Sequence, residues 1–161
     1  MSQFNPEVFL DAVQTEVNER RIPLPVDNPS SPDGTYLAVI GDIKTETGTI
    51  GKGDNIGKPW LSMIIPLKLE LSQQVQDYVK YGPTFTLTDR VFLDLTADGT
   101  GLDNTPGKNR GQKMYRDALG MNAIGAPFSW RKVTGQVVKV KITHEMYNGF
   151  PIEKVATLLK A

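Results

Sequence analysis

Aromatic and cationic side chains recur together in this 161-residue sequence, and their chemistry suits a flat, anionic ligand. Aromatic rings stack on planar groups, and lysine and arginine neutralise phosphates. Trp60 and Phe92 each lie opposite the apolar parity of a strand-like segment, so both rings are predicted to face outward. Arg90 shares the parity of Phe92. The alternative is that the two rings pack under the N-terminal helix or a loop.

Four further rings are candidates for stacking, each with a structural alternative. Tyr36 lies in the first strand-like segment, either parity of which could face inward. Trp130 lies beside Arg131 and Lys132 in the stretch before the fourth strand-like segment, and its ring could instead plug one end of the fold. Tyr147 and Phe150 flank the turn of the last hairpin, where they could close over a ligand or simply staple the turn. The candidates for phosphate contact are Lys52, Lys58, Arg90, Arg131, Lys132, Lys139 and Lys141.

Residues for catalysis are sparse in the sequence. His144 is the only histidine, and it shares the parity of apolar strand residues, which favours a structural role. There is no cysteine, so thiolate metal sites and disulfides are excluded. An acidic set could serve a metal-dependent nuclease, but its spacing matches no metal-binding loop. We therefore expect no catalytic residue, no metal and no cofactor. The acidic set is Asp89, Asp94, Asp98 and Asp103.

Charge is distributed unevenly along the chain although the formal net charge is zero. Residues 1–99 hold 8 Lys and Arg against 14 Asp and Glu, a net charge of −6. Residues 100–161 hold 10 against 4, a net charge of +6. Either the two parts interleave and give a mixed surface, or the C-terminal part forms a basic face suited to a polyanion.

The N-terminal segment predicts a helix followed by an extended connector. Asn5 is a suitable N-cap, Pro6 suits the first helical position, and Phe4 can pack on Phe9. A narrow apolar stripe continues to Val17, so the helix is predicted to end near Arg21. Four prolines in "IPLPVDNPSSPDG", residues 22–34, then exclude a regular element. We assign residues 1–33 to this helix and connector.

Residues 34–161 predict a second unit of five strands and one helix. Strand-like patterns cover residues 35–44, 58–71, 84–96, 135–146 and 151–159, and Asn-Gly marks the last turn. Pro66 indicates an edge or a bulge in the second strand. The Gly-rich residues 45–57 are predicted to form a long loop.

The predicted helix, about residues 108–119, lies between the third and fourth strands. One arc of this helix is apolar and the opposite arc is cationic. Its cations either face solvent or meet a ligand that wraps round the fold. They are Arg110, Lys113 and Arg116.

Five strands with a helix between the third and fourth are typical of the OB-fold barrel. The segments "GTYLAVIGDI", "KPWLSMIIPLKLEL", "KNRGQKMYRDALG" and "GQVVKVKITHEMYNGFPIEKVATLL" follow this order. From Gly34 onward the sequence resembles phage-encoded OB-fold single-stranded-DNA-binding proteins. The resemblance implies a mainly β, five-stranded OB barrel that coats single-stranded DNA during phage replication or recombination. Residues 1–33 form an N-terminal helical arm outside the resemblance.

The sequence-based expectation is a non-catalytic, sequence-tolerant single-stranded-DNA-binding protein. No apolar run is long enough to span a membrane, and the N-terminus lacks a signal-peptide pattern, so we expect no membrane contact and a cytoplasmic location, the host cytoplasm if phage-encoded. The N-terminal arm could mediate homo-oligomers. The alternatives are a virion or assembly protein that uses the barrel as a scaffold, and a metal-dependent nuclease.

Overall fold

A computed structural model describes residues 4–161 and contains six strands and three α-helices within that range. The helices are α1 (Pro6–Asp11), α2 (Gln73–Val79) and α3 (Arg110–Ala118), and a single 3-10 turn spans Trp130–Lys132. The strands are β1 (Tyr36–Ile40), β2 (Lys44–Thr49), β3 (Pro59–Glu70), β4 (Thr84–Leu93), β5 (Val137–Tyr147) and β6 (Phe150–Lys160). The fold is therefore mainly β, as predicted.

All six strands belong to one antiparallel sheet in which β3 is central. One edge of β3 pairs with β4 along its length, from Leu61 opposite Leu93 to Glu70 opposite Thr84. The other edge pairs with β2 through its first half and with β1 through its second half. The sheet then continues from β1 to β5 and from β5 to β6.

The prediction of five strands is wrong because a further strand, β2, forms almost entirely within residues predicted as a loop, after the chain leaves the ladder at Gly41. Gly41 lies against Pro66 of β3, and a Cβ added at Gly41 would come within 2.9 Å of the proline ring. The Gly41 amide donates to the Pro66 carbonyl at 2.8 Å, after which the chain leaves the ladder until β2 begins. Pro66 therefore lies in the central strand, opposite this interruption, and not at a sheet edge. Its missing N–H faces the gap in the neighbouring strand.

The core lies on the inward side of the sheet, where alternate residues of the strands meet. Leu67 and Leu69 of β3 are fully buried, with Ala38 of β1 and Val138 and Val140 of β5 beside them. These residues keep the alternating parity read from the sequence. The core is capped by Val75 and Val79 of α2, which follows a Ser72 N-cap.

Strands β4 and β6 approach each other within 8 Å between Cα atoms, but no ladder of hydrogen bonds joins them in residues 4–161. Side chains cover this seam instead. Helix α3 packs against both strands: the Tyr115 hydroxyl donates to the Asp89 carboxylate at 2.8 Å, and Gly111 sits tightly on Val91. Burial raises the pKa of Asp89, while the Tyr115 hydrogen bond opposes that rise. Arg21 covers the same seam further along, over the Phe85 ring of β4 and bonded to Glu153 of β6.

The N-terminal segment differs from its prediction. The Asn5 cap, with its side chain accepting from the Glu7 amide, and the Phe4–Phe9 contact at 5.2 Å are present, but the helix ends at Asp11 and not near Arg21. Residues 4–20 are exposed, so no tertiary packing stabilises a longer helix. The β-branched residues Val13 and Val17 also have low helix propensity. The connector docks on the sheet from Leu24, which is buried.

None of the helices in residues 4–161 is both long enough and apolar enough to cross a bilayer.

Candidate nucleic-acid interface

The outer surface of β2, β3 and β4 brings several of the predicted binding residues together. The register aligns three rows across these strands: Lys44 with Ile64 and Arg90, Glu46 with Ser62 and Phe92, and Gly48 with Trp60. We call this surface the aromatic face and define it by those eight residues.

Trp60 and Phe92 form the centre of the aromatic face. Their ring centroids are 5.8 Å apart in an edge-to-face arrangement. The Phe92 side chain is 56% exposed, whereas Trp60 is partly buried because its indole lies over the backbone of Gly48. Neither ring is sealed in the core, so both have surface available for a planar ligand.

Charge around the two rings is mixed but leaves cations accessible. The Arg90 guanidinium lies 5.9 Å from the Phe92 ring centroid and forms an exposed ion pair of 3.0 Å with Glu46. Exposed ion pairs of this kind are weak, so a phosphate could compete for the arginine. Lys44 at the end of the first row is exposed and has no ion pair within residues 4–161.

Ser62 is a feature of the aromatic face that the sequence analysis missed. It is fully buried between Glu46 and Phe92, and its hydroxyl has no hydrogen-bond partner among the described residues. A buried polar group without a partner is uncommon because it forfeits hydrogen bonding to water. The available signal for Ser62 was its outward parity, two residues along β3 from Trp60.

Two predicted cations lie in the turn that joins β2 to β3. Lys52 and Lys58 are both exposed, and the Lys58 ammonium donates to the Asn55 side chain at 3.1 Å. The turn closes through hydrogen bonds between Ile50 and Lys58 at 2.9 Å and between Gly57 and Ile50 at 2.7 Å. Residues 45–57 therefore form most of β2 and the turn of a β2–β3 hairpin, and the predicted long loop is wrong over β2. Trp60 and both lysines belong to this hairpin.

Tyr36 cannot stack on a ligand, so its prediction as a binding residue is wrong. Its side chain is fully buried in the core, and its hydroxyl donates to the Pro25 carbonyl of the connector at 2.7 Å. Burial is the main cause of its raised pKa. The sequence left open which alternate residues of β1 face inward. In the structure Tyr36, Ala38 and Ile40 are the buried set.

Lys139 and Lys141 lie away from the aromatic face. Lys139 is opposite Leu37 of β1 and pairs with Asp33 at 3.2 Å, and Lys141 is opposite Thr157 of β6. The position of Lys139 along the sheet follows from the register of β1 with β3. Val39, which is two residues from Leu37, lies opposite Lys68, and Lys68 is eight residues along β3 from Trp60. That separation corresponds to about 27 Å of strand. A ligand that met both regions would have to follow the sheet for that distance.

Trp130 is held by neighbours on α3 and in the preceding loop. Its indole N–H donates to the Gln112 side chain at 2.9 Å, and its ring meets Tyr115 and Phe128 at centroid distances of 5.5 and 5.4 Å. This packing agrees with the structural alternative of a plug. The ring nevertheless remains partly exposed, and the adjacent Arg131 and Lys132 are exposed.

The last hairpin places its two aromatic residues in different surroundings. Tyr147 is 59% exposed, whereas Phe150 is partly buried beneath the Arg20 guanidinium at 4.7 Å. Between them Asn148 and Gly149 both have positive φ, which the Asn-Gly pair adopts at little cost. Only Tyr147 presents a largely open ring.

Two of the three α3 cations are engaged locally. Lys113 pairs with Asp117 at 2.5 Å, and Arg116 donates to the Met121 carbonyl at 3.0 Å while lying over the Phe128 ring. Arg110 is exposed.

The acidic residues considered for a nuclease take separate hydrogen bonds. The Asp94 carboxylate accepts from the Asn109 amide, Asp98 from Thr96 and Thr100, and Asp103 from the Thr105 amide. These hydrogen bonds lower the pKa values of Asp98 and Asp103. Within residues 4–161 no three acidic or histidine side chains form a group that could hold a metal ion. The His144 ring meets the Leu24 carbonyl at 2.6 Å.

Gly48 allows a direct test of the position of Trp60. A Cβ at residue 48 would lie 2.7 Å from the indole ring, so Gly48→Ala should displace the ring and shift its fluorescence emission. Gly51→Ala is the matched control, because nothing lies within 4 Å of its added Cβ. Equal emission spectra for the two variants would show that Gly48 does not determine the position of the Trp60 ring.

Comparison with known proteins adds no family assignment: no protein-family model matches the sequence, and no curated protein matches it.

Proposed function

We propose that this protein binds single-stranded DNA without sequence preference, coating exposed strands in the cytoplasm during phage replication or recombination. The observation that carries the proposal is the outward-facing pair Trp60 and Phe92 beside Arg90 and Lys44. Aromatic rings next to cations on one sheet face are what unpaired nucleotides require, since bases stack on rings and phosphates meet cations.

The strand order supports an OB-type barrel for this function. We interpret β1 and β2 as two halves of one OB strand, followed by β3, β4, the intervening helix α3, and the hairpin β5–β6. OB-folds bind oligonucleotides on the face of their second and third strands, which here are β3 and β4. The aromatic face lies on those two strands and on β2, and the turn with Lys52 and Lys58 borders it.

Titration with oligonucleotides at several salt concentrations tests the proposal. With about three or four phosphates neutralised, log K should fall against log salt with a slope of about −2 to −3, near −0.7 for each contact. Single-stranded DNA should bind more tightly than the duplex of the same sequence. Duplex preference, or no binding at low salt, would refute the proposal.

A second candidate function, a virion or assembly component, is favoured by the N-terminal arm. In residues 4–20 six large apolar side chains are exposed, and the structure buries none of them. An apolar segment of this kind could join neighbouring subunits and so mediate homo-oligomers. These side chains are Phe4, Val8, Phe9, Leu10, Val13 and Val17.

The two candidate functions give different results in purified particles. An assembly component should be present in them and should lack affinity for oligonucleotides. A single-stranded-DNA-binding protein should show the opposite pattern. Measuring the mass of the full chain in solution, with and without Phe9→Asp, would show whether the arm joins subunits.

A further inference from the structure

The interruption between β1 and β2 opens a second surface that the proposed function does not use. A cleft of about 1010 Å³ lies there, lined by the break itself, by the start of β2 and by the 3-10 turn that carries Trp130. Its volume lies at the upper end of the range for small-molecule sites. Its lining includes Asp42, Lys44, Thr45, Met63, Trp130 and Arg131.

The cleft lining repeats the chemistry of the aromatic face. Trp130 presents a partly exposed ring that its hydrogen bond to Gln112 and its contacts with Tyr115 hold in place. Lys44 and Arg131 are exposed cations without ion pairs in residues 4–161, and Asp42 is the one acid in the lining. A fixed aromatic ring beside two available cations suits a base and its adjoining phosphates.

Lys44 connects the cleft to the aromatic face. It belongs to the row that crosses Ile64 to Arg90, and it also lines the cleft. Two strand spacings separate Lys44 from Arg90, which is about 10 Å. The next residue, Thr45, has the opposite parity, pairs with the core residue Met63 and faces the cleft side.

The free edge of β2 gives a path between the two surfaces. In the described sheet β2 is hydrogen-bonded only to β3, so its other edge has no neighbouring strand. A flexible chain can therefore cross this edge from the outer face to the cleft without meeting another element of the sheet.

We propose that single-stranded DNA longer than the aromatic face crosses the free edge of β2 at Lys44 and enters this cleft, where a base meets Trp130 and a phosphate meets Arg131. This inference rests on the proposed function and extends it, because it assigns a second nucleotide site and a direction to the bound strand. It also gives Trp130 a binding role in addition to its packing role.

The two tryptophans of the chain make the proposal testable by fluorescence. In Trp60→Phe the remaining emission reports on the cleft, and in Trp130→Phe it reports on the aromatic face. Oligo-dT of about 4 and about 16 nucleotides covers the range of OB-fold site sizes. The aromatic-face reporter should respond to both lengths, and the cleft reporter only to the longer one.

Charge variants provide the second measurement. Arg131→Ala, which changes a cation of the cleft that lies outside the aromatic face, should make the salt slope for the longer oligonucleotide shallower by about 0.7, the value of one phosphate contact. Lys160→Ala is the control, because Lys160 is exposed at the end of β6, does not line the cleft and is not among the predicted phosphate contacts. Thermal melting of each variant establishes that it is folded.

The outcomes separate the inference from the proposed function. If the aromatic-face reporter responds to long oligo-dT while the cleft reporter and the salt slope stay unchanged, the cleft is not occupied and the inference is overturned. If neither reporter responds and sedimentation detects no complex, the proposed function itself fails.

Discussion

Replacing Trp60 or Phe92 by alanine is expected to weaken single-stranded DNA binding by roughly 5- to 140-fold, since each lost base stack is worth about 1 to 3 kcal/mol. The double variant should lose more than either single variant. Its loss should fall short of the product of the two, because the rings touch at 5.8 Å and are energetically coupled. Fluorescence anisotropy with labelled oligo-dT at fixed salt measures all three affinities.

Stability measurements distinguish a binding role from a packing role. Phe92 is mostly exposed, so Phe92→Ala should leave the melting temperature almost unchanged. The matched control is Tyr78→Ala, which removes an aromatic ring that is 61% exposed on α2, away from the aromatic face. Wild-type affinity in the double variant, or an equal loss of affinity in the Tyr78 control, would contradict the assignment of the aromatic face.

Replacing Arg21 by alanine is expected to cause the largest loss of stability among the surface arginines. The Glu153 side chain is 1% exposed, and both of its carboxylate oxygens accept from Arg21 at 2.5 Å, with the Leu24 amide at 2.8 Å. Removing Arg21 leaves a buried carboxylate uncompensated. Because Arg21 itself is partly exposed, we expect a cost of about 2 to 4 kcal/mol, around the lower end for breaking a buried pair.

The destabilisation by Arg21→Ala should depend on pH. Burial acts to raise the pKa of Glu153, but the hydrogen bonds from Arg21 and Leu24 outweigh it and lower the pKa below 4.5. The wild-type pair therefore adds stability above that pH and loses it as pH falls through the lowered pKa. In the variant the arginine no longer opposes the effect of burial, so the pKa of Glu153 rises and protonation in acid relieves the penalty. The difference in stability between the two proteins should therefore be largest at pH 7 and smaller at pH 4.

Denaturant unfolding at both pH values measures this effect. Lys154→Ala is the control, because its 3.9 Å pair with Glu145 is exposed on both sides and should contribute little. Arg21→Ala/Glu153→Gln should recover part of the stability at pH 7, since the glutamine is neutral. A pH-independent loss in Arg21→Ala would mean that the packing of Arg21 on Phe85, and not the ion pair, stabilises the seam.

Strong periodicity explains which elements could be predicted. β3, β4 and β5 alternate apolar and polar residues, and the Asn-Gly turn marks the start of β6. The observed bounds of these four strands lie within three residues of the predicted ones. The helix α3 has two distinct arcs and a glycine after its end, and it too was predicted. These elements are buried on one side, so the sequence pattern records the packing directly.

Elements with little buried surface escaped prediction. β2 reads Lys-Thr-Glu-Thr-Gly-Thr and is almost wholly exposed, so no apolar alternation marks it, and its strand conformation depends on pairing with β3. Helix α2 buries only Val75 and Val79, which left the Ser72 cap as its main signal. The reverse error occurred in α1, where an apolar stripe predicted a longer helix than the structure contains because nothing packs against it.

The binding candidates that could be predicted lie in strands with a clear apolar side, and those that could not lie elsewhere or depend on register. Strand parity was sufficient to predict that Phe92 faces outward and to group it with Arg90 and Trp60, because each residue lies in a strand with a clear apolar side. Parity could not resolve Tyr36, whose neighbours in β1 are apolar on both sides. The sequence also could not show that Lys139 lies far along the sheet, since that distance depends on the register between strands.

Photochemical crosslinking tests the central claim most directly, namely that unpaired bases lie on Trp60 and Phe92. Full-length protein is irradiated with single-stranded DNA that carries 5-iodouracil, and the crosslinked peptides are identified by mass spectrometry. We predict that the dominant crosslinks fall on these two residues and disappear when excess unlabelled single-stranded DNA competes. Crosslinks that fall elsewhere under the same conditions, with none on β3 or β4, would contradict the account.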